Sequence, residues 1–95
     1  MGRRAAKVDS TQPAIVDALR KRGAKVWSLA TVGRGFPDLL VMVPGMGSRG
    51  WFLLECKTPG GKLTPAQVEW HAANDGVAHV VESPEEAIAI VFGER

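Results

Sequence analysis

Phe36-Pro37-Asp38-Leu39-Leu40-Val41-Met42-Val43-Pro44-Gly45-Met46-Gly47-Ser48-Arg49-Gly50-Trp51-Phe52-Leu53-Leu54-Glu55-Cys56-Lys57 is the stretch that decides how this chain folds. Two short apolar runs, Leu39 to Val43 and Trp51 to Leu54, bracket a glycine-rich turn, the pattern of a β-hairpin. Folding the hairpin about the middle of its turn brings Asp38 beside Glu55 and Lys57. Side chains alternate across a strand, so Glu55 and Lys57 point to one face and Cys56 to the other. Two carboxylates and an ammonium therefore converge at one end of a buried hairpin. Uncompensated charge near a core is costly, so the arrangement asks for a purpose.

Outward from the hairpin, the chain reads as alternating helices and strands. Asp9 or Ser10 is placed to cap a first helix, with Pro13 in its first turn and Ile15, Val16, Ala18 and Leu19 as its apolar stripe. Arg20, Lys21 and Arg22 suit the negative end of the helix dipole, and Gly23 suits its C-terminal turn. Lys25 to Ala30 predicts a strand. Gly33-Arg34-Gly35 then forms a loop in which flanking glycines let the backbone approach a ligand and project the guanidinium. After the hairpin, Thr64-Pro65-Ala66-Gln67 carries a capping-box pattern for a second helix. Along that helix Gln67, His71 and Asn74 share one face, and Ala66, Trp70 and Ala73 another. Val77 to Val81 predicts a short strand, and Ser83-Pro84-Glu85-Glu86 opens a closing helix. The order α-β-β-β-α-β-α predicts an α/β (α+β) domain, a mixed sheet flanked by helices.

The 95 residues are expected to form one domain, 1–95, with residues 1–8 a basic arm whose Arg4 and Lys7 can reach phosphates. A formal charge of +2 permits a nucleic-acid partner without demanding one. One cysteine allows no internal disulfide, and no stretch has the length and apolarity of a membrane span or a signal h-region. A cytoplasmic protein with no membrane partner is the expectation.

Close carboxylates in a dry site either share a proton or hold a metal. Lys57 favours both staying ionised, which argues for the metal. Hard carboxylate oxygens suit Mg²⁺ or Mn²⁺, and no Cys/His cluster points to zinc. An ion held by one or two carboxylates keeps positions open for water and a phosphate oxygen, while Lys57 orients the attacking water or offsets charge. That is the chemistry of phosphodiester hydrolysis. The same residues also fit an ordinary ion pair at an exposed strand end, worth less than about 1 kcal/mol. Spacing leaves both readings open.

Pro37-Asp38, the apolar hairpin and Glu55-Cys56-Lys57 together resemble the PD-(D/E)XK nuclease pattern. The flanks narrow the resemblance. Gly33-Arg34-Gly35-Phe36-Pro37-Asp38-Leu39-Leu40-Val41, Leu53-Leu54-Glu55-Cys56-Lys57, Lys62-Leu63-Thr64-Pro65-Ala66-Gln67 and Trp70-His71 are similar to the VRR-NUC branch, in its small stand-alone phage and bacterial form. The resemblance runs from about Asp9 to Val91 and implies a restriction-endonuclease-like core. It implies Asp38 and Glu55 as metal ligands, with the backbone carbonyl of Cys56 completing the site. Lys57 becomes the catalytic lysine, and Gln67 a polar catalytic position on the next helix. Gly33, Arg34, Gly35 and Lys62, with Arg4 and Lys7, are the expected nucleic-acid contacts. Such members are similar to Holliday-junction resolvases. The implied partner is branched DNA, a four-way junction, cut by a homodimer in the cytoplasm of a bacterial or phage-infected cell.

One position departs from the pattern. The resemblance implies a glutamate on the first helix just before the Ile-Val pair, as relatives commonly carry there; Ala14 stands in its place, with Asp9, Gln12 and Asp17 as the nearby residues to substitute for it. This departure keeps a rival reading in play, a DNA-binding or assembly domain that retains the fold without cutting. Elsewhere, Cys56 reads as buried packing, His71 as a solvated helix residue that could approach the site from the Gln67 face, and His79 as structural. Trp51 and Trp70 read as core or dimer contacts, and Trp27 as a possible stacking platform for a base.

Overall fold

A computed structural model describes residues 10–93; the basic arm with Arg4 and Lys7 lies outside the described residues. The elements are α1 (Gln12–Lys21), β1 (Lys25–Ser28), β2 (Leu39–Met42), a 3₁₀ turn (Gly47–Gly50), β3 (Trp51–Cys56), α2 (Pro65–Ala73), β4 (Ala78–Val81) and α3 (Pro84–Phe92). Their order is the one the sequence predicts. The four strands form a single sheet in the order β1-β2-β3-β4, with the first two pairings antiparallel and β3–β4 parallel. The sheet is therefore mixed, and the parallel pair is joined through α2.

Boundaries move where backbone hydrogen bonds compete. β1 stops at Ser28, short of Ala30: the Leu29 N–H still reaches the Asp38 carbonyl in register (2.7 Å), but the Leu29 carbonyl accepts from Val32 instead, closing a turn. At the start of α1, Thr11 holds the N-cap place expected for Asp9 or Ser10, and its hydroxyl makes no capping bond. That hydroxyl donates instead to the Lys57 carbonyl (3.1 Å), tying the helix start to the far end of β3. Ser83 caps α3 as its sequence suggests, accepting from the Glu86 N–H (3.0 Å).

Strand alternation sorts the core. Val26, Leu39, Val41, Leu54, Cys56 and Val81 share one sheet face and are buried against Ile15 and Leu19 of α1 and Ala87 and Val91 of α3. The registers Lys25–Met42–Trp51 and Trp27–Leu40–Leu53–Ala78 define the opposite face. There Trp27 and Trp51 are exposed and stack on each other, with centroids 6.0 Å apart and planes 13° from parallel. Trp51 is thus a surface residue, not core, and Trp70 is only half-buried.

The two faces should respond differently to truncation. Leu54→Ala, at a fully buried position, is expected to cost about 2–5 kcal/mol in urea unfolding. Val80→Ala, on the exposed face, should cost under about 1 kcal/mol in the same measurement.

Candidate active site

The site grows from the end of the hairpin. Leu39 pairs with Leu54, so one position further out Asp38 and Glu55 stand across from each other. β3 outruns β2 here, and its exposed edge is closed by a side chain: Asp38 Oδ2 accepts from the Cys56 N–H at 2.7 Å. That bond fixes the Asp38 carboxylate against the strand that carries Glu55. The Lys57 N–H is held by the Val81 carbonyl (2.9 Å), which continues the parallel pairing one residue past Cys56. Lys57 itself is half-buried. Cys56 points into the core, as expected, and is 1% exposed.

Glu55 is fully buried, and its carboxylate faces α2. The capping box at the start of that helix is complete: Thr64 Oγ1 accepts from the Gln67 N–H (3.2 Å), and Gln67 Oε1 accepts from the Thr64 N–H (2.8 Å). With its oxygen fixed in the cap, the Gln67 amide presents its nitrogen outward, and Nε2 donates to Glu55 Oε2 at 2.9 Å. One turn on, His71 Nε2 lies 3.6 Å from Glu55 Oε1, within ion-pair range but beyond a hydrogen bond. His71 is therefore not a solvated helix residue; its ring packs edge-on against Trp70, which packs edge-on against Phe36. The inward side of α2 carries Gln67, Trp70, His71 and Asn74, while Ala66 and Ala73 are exposed, so the Ala66-Trp70-Ala73 face is not the packed one.

The glycine loop positions this helix. Gly33, Arg34 and Gly35 all lie in the left-handed region, with φ of 72°, 59° and 77°. A Cβ on Gly35 would overlap the Ala66 carbonyl and stand 2.9 Å from the Gln67 nitrogen. Gly35 thus lets the loop touch the first turn of α2. The Arg34 side chain is exposed, as is Lys62, on the two loops that flank that turn.

On α1 the residue turned inward is Gln12, 8% exposed, one step before Ile15 and Leu19 on the same stripe. Ala14 is exposed, and Asp17 is exposed too, in a surface pair with Lys21 (3.1 Å). Asp9 lies outside the described residues. The i, i+3, i+7 spacing of Gln12, Ile15 and Leu19 is the signal that would have picked Gln12 over Ala14 as the position to compare.

The side-chain donors that could hold a cation are the Asp38 and Glu55 carboxylates, both hard oxygens. Among the described residues no three His, Cys, Asp or Glu side chains form a ready-made metal cage. Two carboxylates with water completing the shell is how Mg²⁺ is usually held, so the donor set fits that class of ion.

Residues 4–78 match the family model described as the VRR-NUC domain. The chain belongs to the VRR-NUC domain family. A relative, "Putative nuclease p44" of Acyrthosiphon pisum secondary endosymbiont phage 1, is 36% identical over 74 residues, 77% of this chain and 76% of that protein. A solved structure titled "VRR_NUC domain" superposes with a TM-score of 0.66 at 24% identity, covering 90% of this chain and 95% of that one. It supports the VRR-NUC fold.

Two measurements probe the contacts that build the site. Gly35→Ala combines a left-handed φ with overlap on the α2 backbone and should destabilise by roughly 2 kcal/mol or more. Gly33→Ala, with open space around it, should cost only about 1 kcal/mol; urea titrations of both proteins give the comparison. Glu55→Gln removes a buried charge while keeping an acceptor for Gln67, and in metal-free buffer it should raise unfolding stability by roughly 1 kcal/mol.

Proposed function

We propose that this VRR-NUC domain is a metal-dependent, structure-selective endonuclease that hydrolyses phosphodiester bonds in branched DNA, in the manner of a Holliday-junction resolvase. One observation carries the reading. A fully buried carboxylate, Glu55, is held by the Gln67 amide opposite Asp38, with Lys57 two residues along the same strand. A fold that spends stability on a buried carboxylate beside a second one is keeping it for a ligand.

Mg²⁺ or Mn²⁺ would be held by Asp38, Glu55 and the Cys56 carbonyl, and would supply Lewis acidity toward the scissile phosphate and a more acidic bound water. The chain's own residues do the rest. Asp38 is kept in place by the Cys56 N–H, and Glu55 by Gln67, so neither carboxylate has to reorganise. Lys57 orients the attacking water and offsets the charge that develops on the phosphate oxygens. Arg34 and Lys62, exposed on the loops flanking the start of α2, bind phosphates on either side of the cut, with Gly33 and Gly35 admitting the backbone.

The working form is a homodimer, which presents two sites to two strands of a pseudo-two-fold junction. The exposed sheet face with stacked Trp27 and Trp51 offers such a dimer an apolar surface.

The deciding experiment is cleavage of a labelled four-way junction beside matched linear duplex, with Mg²⁺, with Mn²⁺ and with EDTA. Cutting confined to the junction and abolished by EDTA is expected. Lys57→Ala should lose roughly 10²-fold or more in rate while still binding the junction. Junction binding without cutting under every condition would replace this reading with a non-catalytic DNA-binding domain. Metal should also raise the melting temperature of the native protein, and Glu55→Gln should remove that rise.

A further inference from the structure

We propose that His71 supplies a nitrogen donor to the metal at Glu55 and so makes the site selective for Mn²⁺ over Mg²⁺. The inference rests on the metal-dependent reading above and adds to it a ligand and an ion preference.

Three observations converge. His71 Nε2 faces Glu55 Oε1 at 3.6 Å, too far for a hydrogen bond. Two donors that share an ion at about 2.1 Å each lie no more than about 4.2 Å apart, so this spacing fits a shared ion without moving either group far. Second, Nε2 is buried and has no hydrogen-bond partner, although burying a polar nitrogen that way is unfavourable. Third, the ring is held rather than loose. It sits one helical turn beyond Gln67, whose amide grips the other oxygen of the same carboxylate, and it packs edge-on against Trp70.

The chemistry sets the preference. Mg²⁺ takes oxygen donors almost exclusively, whereas imidazole nitrogen suits first-row transition metals. An all-oxygen site built from Asp38, Glu55 and the Cys56 carbonyl has no reason to separate the two ions. Adding one imidazole gives it one.

Mn²⁺ binding to the full chain, followed by electron paramagnetic resonance, tests the proposal without any cleavage assay. Electron spin-echo modulation of the Mn²⁺-loaded native protein should show coordinated ¹⁴N, changed by ¹⁵N labelling and absent in His71→Leu. Competition titrations should show His71→Leu losing roughly tenfold or more in Mn²⁺ affinity and less than about threefold in Mg²⁺ affinity. Mn²⁺ bound with no nitrogen modulation overturns the proposal and leaves the metal-dependent reading standing. An equal loss for both ions also overturns it, since that is the mark of a residue that only positions Glu55. Failure of the native protein to bind either ion removes both readings together. Should His71→Leu fold poorly, the spin-echo spectrum of the native protein decides alone.

Discussion

The hydrogen bond from Gln67 Nε2 to Glu55 Oε2 is the constraint on which the site depends. Glu55 is fully buried, and a carboxylate in that position needs donors around it. In turn α2 has no buried side chain of its own, so polar contacts and edge-on aromatic packing have to hold it in place. Each side supplies what the other lacks. The Gln67 amide can do this because its oxygen is already committed to the Thr64 N–H, which leaves only one way for the nitrogen to point.

This division separates the molecule into two regimes. On one sheet face α1 and α3 bury an aliphatic core in which every strand takes part. On the other, the tryptophans, Leu40, Met42 and Leu53 are left partly open, and only the end near Glu55 is covered. The apolar core resides in the first layer and the candidate site in the second, and the two meet in β3, whose successive residues belong to different layers. Thr11 adds a second link, because the start of α1 is bonded to the carbonyl of Lys57.

The fold was largely legible in the sequence. Glycine and proline punctuation marked every element, and the alternation of apolar residues assigned Leu54 and Cys56 to the core and Glu55 to the opposite side. The meeting of Asp38 with Glu55 followed from the hairpin alone. Helix periodicity also grouped Gln67 with His71, but it could not say that this face turns inward, since α2 is only weakly amphipathic and its alanines offered a plausible alternative. Gln12 was harder still. It lies two residues before Ala14, and only the burial of its stripe separates the two positions. The contact of Thr11 with Lys57 spans 46 residues of sequence and has no local signature.

Cys56 carries a consequence for how such a chain can vary over time. Its side chain is buried in the core, while its main-chain N–H fixes Asp38. Selection on the reaction therefore sees the peptide at this position and is blind to the side chain. Selection on folding sees the side chain's volume and is blind to the reaction. Substitution at this position can then drift among small apolar residues, filtered by fit to the core.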